Sequence, residues 1–286
     1  MYLPAPLVFA IINLTPDSFY DGGKYTDPAT ALAYCRRLIQ AGIKVLDVGA
    51  ESTRPGAEPV QADEEWRRLE PVLAALVRLA EGQPATAVSV DTYHAATARK
   101  ALAAGVRIIN DISAFSFEPE LKEVLLEQRP GYVLMHSPCP PRTMQAAPGY
   151  GDVVSEVKKF LEDKMNELVR GGFPEDQIIL DPGIGFGKTL EHNLELLRRL
   201  DCLAGLGRPL LIGLSNKKMF GDLLGLAPDE RACATQTATA LLADRGIYAH
   251  RVHAALETLQ TLKLTQALRR QQPVNLYCGR AGAPAG

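Results

Sequence analysis

Residues 178–200 read IILDPGIGFGKTLEHNLELLRRL, a short apolar run, a glycine-rich turn and a stretch of helical period. The turn ends in Gly187-Lys188-Thr189, the close of a nucleotide-binding P-loop. That loop needs four residues between its first Gly and the Gly-Lys pair, so that consecutive backbone N–H groups can wrap a phosphate. Counting back, the first position falls on Pro182, which has no N–H to offer. The signature is broken, and the loop between this strand and this helix serves another purpose.

The same strand-then-helix unit recurs along the chain. Apolar, β-rich runs lie at 7–13, 45–51, 87–92, 107–113, 131–136, 178–183, 209–215 and 247–253. Stretches of helical period separate them, and several end in Gly just before the next strand, at Gly42, Gly105, Gly171 and Gly246, as suits a left-handed helix stop. Eight strands and eight helices without an interrupting linker predict an α/β fold, a single-domain (β/α)8 TIM barrel over residues 1–272, rather than an open doubly wound sheet. Residues 273–286, PVNLYCGRAGAPAG, have no helical period and are expected to form a loose tail.

Composition narrows the class. A 47% hydrophobic and 22% charged chain of 286 residues can bury a large core. Its net charge of −2 argues against nucleic-acid binding, which rests on a basic surface. No apolar run reaches the roughly 18 residues of a membrane span, and MYLPAPLVFAIINL at the start lacks the features of a signal peptide. A cytoplasmic protein is expected, its five scattered cysteines reduced and forming neither a disulfide framework nor a zinc site.

Function in such barrels is built at the C-terminal strand ends. Nearly every run here ends in polar residues: Asn13, Asp47 with Glu51, Asp91, Asn110 with Asp111, His136, Asp181, Ser215 with Lys217, and Arg251 with His253. One Asp at a strand end is often only a helix cap; eight such ends together point to a ligand rich in N–H and C=O edges. Arg251 and His253 alternate along one strand and suit an anion such as phosphate, the rival being an ion pair between Arg251 and a neighbouring Asp. His136 and His253 lack the spacing of zinc ligands. The loops TPDSFYDGG and STRPGAEPV are polar and punctuated enough to act as lids.

In this order and at these strand ends, NLTPDSFYDGG, LDVGAESTRPGAEPV, SVDTY, NDIS, ILDPGIGFGKT, GLSNKKMFG and RVH resemble the dihydropteroate synthase family, the sulfonamide-inhibited transferases of folate biosynthesis. The resemblance runs from about Asn13 to His253. It implies condensation of a dihydropterin bearing a CH2-pyrophosphate with p-aminobenzoate, releasing pyrophosphate. Asp91, Asn110 and Asp181 would bind the pterin edge, with Lys217 near its ring carbonyl. Asn13, Arg251 and His253 would hold the pyrophosphate, with Mg2+ near Asn13. Phe19, Thr53, Arg54, Pro55, Phe186, Gly187 and Lys218 would shape the p-aminobenzoate site. The residues taken as catalytic are Lys217, Arg251 and Asp91. Lys188 and Thr189 would begin the helix after the sixth strand. A homodimer is expected, with the apolar late helices as its face, and neither nucleic acid nor membrane as partner.

Departures gather on the late strands. Ser215-Asn216-Lys217-Lys218-Met219 puts Asn where the family commonly has Arg and Lys where Ser is usual; Ala254 replaces an Asp; and MHSPCPPRTMQ replaces a Met-His-Met-Gln-Gly pattern. Two other readings stay open: a pterin-binding methyltransferase domain, against which the STRPG lid and the Arg-x-His pair count, and a paralogue that binds pterin without condensing it. Pyrophosphate release separates them.

Overall fold

Alternation within each strand sorts its side chains into two layers. In β1 (Leu7–Asn13), Val8, Ala10 and Ile12 join a large core shared with the helices. Phe9 belongs instead to a smaller cluster with Val45, Val133, Leu211 and Ala249. Those five residues come from five strands that are not all neighbours, so they meet only if the sheet curls round to enclose them. Leu7, Ile108 and Ile179 pack against the cluster, and the barrel interior is a filled plug at this level. Burying each of the larger ones, Phe9, Val45, Val133 and Leu211, stabilises the fold by roughly 1.5–3 kcal/mol.

The structure, a computed structural model, describes residues 6–14, 28–52, 56–83, 85–144, 148–247 and 249–269. The other strands are β2 (Val45–Gly49), β3 (Ala87–Asp91), β4 (Ile108–Asp111), β5 (Gly131–Met135), β6 (Ile178–Asp181), β7 (Leu211–Ile212) and β8 (Ala249–Val252). All pair in parallel in the order β6-β5-β4-β3-β2-β1-β8-β7. A bridge between Leu180 and Leu210 joins β6 to the approach of β7 and completes the ring. The outer layer contains α1 (Pro28–Ala41), α2 (Ala62–Glu81), α3 (Ala95–Ala103), α4 (Glu120–Gln128), α5 (Val153–Arg170), α6 (Leu190–Arg198), α7 (Leu200–Ala204), α8 (Lys218–Leu224), α9 (Ala232–Asp244) and α10 (Ala255–Leu268). Among the described residues no helix is long and apolar enough to cross a membrane.

The single-domain barrel matches the sequence reading, with local differences. LEHNLELLRRL is two helices, because Arg199 leaves helical geometry at φ −112° and ψ 32°. The seventh strand shrinks to two residues, and the following GLSNKKMFG segment holds the short helix α8, too brief for its period to show. The left-handed stop after α5 is Gly172, at φ 93°, and not Gly171, which stays right-handed. Phe19, Thr53, Arg54 and Pro55, expected on the two lids, and the tail 273–286 lie outside the described residues.

Candidate active site

The alternation that plugs the barrel also decides what crowns it. Two residues beyond Val45, Ile108, Ile179 and Ala249 stand Asp47, Asn110, Asp181 and Arg251, facing the same interior. In register, Asp47 lies beside Ser89, and Asp91 beside both Gly49 and Asn110. A polar layer therefore rests on an apolar plug, at the C-terminal mouth where the βα loops converge.

Arg251 organises this layer. Its Nε donates to Asp47 Oδ2 at 2.6 Å and its Nη2 to Asp91 Oδ2 at 2.5 Å. Asn110 Nδ2 donates to the same Asp47 Oδ2 at 3.1 Å. Asp47 thus ties together two residues expected to hold different parts of one substrate. Burial pushes the Asp91 carboxyl up to about 7 against the pull of Arg251. Burial also opposes the charge of Arg251, but Asp91, Asp47 and Asp181 outweigh it and raise the guanidinium further. The rival reading of Arg251, an ion pair with neighbouring Asp residues, describes its contacts.

Across the mouth, Asp181 Oδ1 accepts the Gly183 N–H at 2.7 Å. Burial pushes Asp181 up to about 6, while Gly183 and the cations Lys217, Arg251 and Lys188 pull it down. Lys217 Nζ stands 4.3 Å above the Phe186 ring centroid, a cation–π contact, and burial lowers its ammonium to about 8. Phe186 is itself buried, in a cluster with Ile112, Met135 and Met144. Phe186 therefore presents a flat apolar face topped by a cation.

The remaining expected residues fall in varied places. Asn13 is half-buried at the end of β1 and is the register partner of Gly49. His253 Nδ1 lies 2.9 Å from Ser215 Oγ, which also accepts the His253 N–H at 3.2 Å. Lys218 is turned to solvent, its side chain 78% exposed and paired with Asp222 one turn along α8. Gly187 lies against Pro138, where a Cβ would come within 2.3 Å of a ring carbon. Asn216 sits in the left-handed region at φ 53°, its carbonyl accepting from Arg231. Among the described residues no group of three or more His, Cys, Asp or Glu is placed to hold a metal. Lys188 does not begin the helix. It turns inward, and Thr189 is the N-cap, its Oγ1 accepting from the His192 N–H at 3.2 Å.

Two residues of this layer, Asp47 and Met135, carry no motif of their own in the sequence. Asp47 was visible only as one polar strand end among many, and Met135 only as an apolar one; counting by twos from Val133 and Val45 finds both.

Elsewhere a charged cluster joins separate elements. His94 Nδ1 lies 2.8 Å from Glu118 Oε2 and its Nε2 lies 2.9 Å from the Val60 carbonyl, with Glu51 Oε2 at 3.7 Å. Both ring nitrogens face acceptors, so both carry protons. Burial opposes this charge, but Glu51, Glu65, Glu118 and the Val60 carbonyl outweigh it and push His94 up to about 9. Because the folded value lies above the unfolded one, the stabilisation is complete below about pH 6.5 and is lost as pH rises through about 9. His94→Gln is expected to be less stable than the parent by about 1–3 kcal/mol at pH 6, with the gap closing by pH 10. Urea unfolding at the two pH values checks it.

A family model described as "Pterin binding enzyme" matches residues 9–253. A dihydropteroate synthase of Neisseria meningitidis serogroup B is 43% identical over 272 residues, covering 93% of this chain and 94% of its own. The Yersinia pestis dihydropteroate synthase in a sulfonamide drug complex superposes with a TM-score of 0.87 at 36% identity, over 94% of this chain and 96% of that one. The Xanthomonas albilineans dihydropteroate synthase with 4-aminobenzoic acid gives 0.84 at 40% identity, over 96% of both chains.

Proposed function

The chain belongs to the pterin-binding enzymes and, among them, to the dihydropteroate synthases, and from that premise we propose how its own residues perform the condensation of 7,8-dihydropterin-CH2-pyrophosphate with p-aminobenzoate to 7,8-dihydropteroate and pyrophosphate. The observation that carries the assignment of roles is the inward-facing polar layer, in which Asp91, Asn110 and Asp181 share one mouth with Arg251 and Lys217.

A pterin edge presents N–H donors beside a ring nitrogen and a carbonyl. Asp91 and Asp181 accept from the donors, the Asn110 amide can do both, and Lys217 donates to the carbonyl. The raised Asp91 and Asp181 and the lowered Lys217 share one cause, burial, and hydrogen bonds from a bound ring would favour the ionised carboxylates. Arg251, now held by Asp47 and Asp91, would turn partly toward the pyrophosphate, with His253 and Asn13 beside it. The C–O bond between methylene and pyrophosphate breaks, both electrons leaving with the oxygen, and Arg251 stabilises that charge. The aryl nitrogen then bonds to the cationic methylene carbon and gives up one proton. No nucleophilic side chain is needed. Phe186 and Gly187 would form the wall against which the aryl ring rests, with Phe19, Thr53, Arg54 and Pro55 closing it off from water.

Magnesium belongs to the same proposal. Mg2+ prefers oxygen ligands, takes few from protein, and is commonly completed by water and substrate phosphates. The single amide oxygen of Asn13, half-buried at the mouth, fits that preference. When bound, the ion would supply charge stabilisation to the leaving pyrophosphate. Lys218, paired with Asp222, would have to leave that partner to reach the carboxylate of p-aminobenzoate. A homodimer is supported by Leu241, Leu264 and Leu268, which stand exposed on the adjoining helices α9 and α10. Cytoplasmic placement accords with the free thiols of Cys35, Cys139, Cys202 and Cys233.

Calorimetry tests the assignment without turnover. Asp181→Asn, which turns one acceptor into a donor, should weaken binding of dihydropterin pyrophosphate by roughly 100-fold, while inorganic pyrophosphate binding stays near the parent's. Equal losses for both ligands would place Asp181 elsewhere.

A further inference from the structure

The glycine-rich loop after β6 resembles a phosphate cradle in sequence and is its inverse in structure. In a P-loop, backbone N–H groups converge on an anion; here backbone carbonyls converge on a cation. Lys188 Nζ donates to the carbonyls of Gly183 and Phe186, each at 3.0 Å, and lies 2.9 Å from His136 Nδ1. Three acceptors match the three hydrogens of an ammonium. The side chain is buried, with 4% of the residue exposed, and among the described residues no carboxylate pairs with it; burial lowers its ammonium to about 7, opposed through space by Asp181. A buried cation without a contacting counter-ion is costly, which argues that its place in the loop serves a purpose.

We propose that Lys188 is a positioning residue for the second-substrate subsite. Its ammonium fills the loop from within, draws the Gly183 and Phe186 carbonyls inward, and so holds the Phe186 ring under Lys217. His136 assists as a neutral acceptor, because burial and the adjacent Lys188 lower its basicity. Its own backbone N–H is anchored to the Asp181 carbonyl at 3.0 Å. The ring of Phe186 thereby takes its position from a residue that touches neither substrate. This inference rests on the assignment of Phe186 to the p-aminobenzoate subsite.

The test uses Lys188→Met, which keeps the apolar stem and removes the donors, and Lys188→Gln, which keeps part of the donor set, should Lys188→Met fail to fold. Protein labelled with 4-fluorophenylalanine gives a fluorine resonance for Phe186, assigned by its loss in Phe186→Leu. The resonance should shift in both Lys188 variants while those of the other phenylalanines stay. In steady state, KM for p-aminobenzoate should rise by about tenfold or more in Lys188→Met, with kcat and the affinity for dihydropterin pyrophosphate changing by less than about threefold. The double variant with Phe186→Leu should be no worse than the poorer single one, as expected for two residues on one route. A Phe186 resonance that does not move in a folded Lys188 variant overturns the proposal, as do effects that multiply in the double variant. Parent enzyme that never consumes p-aminobenzoate would refute the subsite assignment instead, and the fluorine spectrum would still decide whether Lys188 sets the ring.

Discussion

Arg251→Leu should lower kcat/KM by roughly 1000-fold or more, the scale on which loss of a preorganised charge at a developing anion is felt. It should also destabilise the fold, because the guanidinium is the partner of two buried carboxylates, Asp47 and Asp91. Removing one partner of such a group costs about 3–5 kcal/mol when the charge left behind stays ionised. Asp91 has a way out. Burial already pushes its carboxyl up to about 7 with Arg251 present, and without Arg251 burial acts unopposed. A carboxyl whose folded value lies above its unfolded value takes up a proton on folding, so the variant loses stability as pH rises through that window. Urea unfolding should therefore show a smaller penalty at pH 5 than at pH 8. A variant with parental turnover would show that Arg251 serves the carboxylates alone.

Gly183→Ala is the second large expected effect. Gly183 has φ 67°, and a Cβ there would sit 1.9 Å from the His136 carbonyl oxygen. That oxygen is backbone at the end of β5 and cannot move aside without disturbing the β5–β6 pairing beside it. The left-handed conformation alone costs a non-glycine residue roughly 1–2 kcal/mol, and the collision adds to it. Gly183 also donates its N–H to Asp181, and its carbonyl accepts from Lys188, so a shift disorganises both. Loss of several kcal/mol, on the order of 3–5, and of more than about 100-fold in turnover is expected. Gly207→Ala provides the control, since Gly207 has a similar φ of 77° but nothing within 4 Å of the added carbon. It should cost about 1 kcal/mol and leave turnover intact. Thermal unfolding and steady-state rates distinguish the two.

What was legible in the sequence follows from how local each signal is. Strand ends were legible because period-two alternation is a short-range property: Asp47, Asn110, Asp181 and Arg251 each follow an apolar inward residue by two. The repeated unit made the closed barrel legible as well. The link from Arg251 to Asp47 and Asp91 was open to two readings because it spans 204 and 160 residues, and only the barrel brings those ends together. Lys188 was misplaced for a related reason. Its position just before a helical period suggested a first turn, whereas the carbonyl cradle that draws it inward exists only once the glycines bend the loop. Helix α8 and the break at Arg199 escaped because seven residues, or one, carry too little periodicity to read. His94 carried no motif at all; its partners Val60 and Glu118 are 34 and 24 residues away.

The central claim is that the polar mouth of this barrel joins a pterin methylene to an aryl amine. Its most direct test is product formation: purified protein is given dihydropterin pyrophosphate, p-aminobenzoate and Mg2+, and 7,8-dihydropteroate and pyrophosphate are quantified together. Equal amounts of the two products are expected, both dependent on p-aminobenzoate, and both severely reduced in Arg251→Leu and Lys217→Ala. Tight binding of the pterin substrate with no dihydropteroate formed would contradict it.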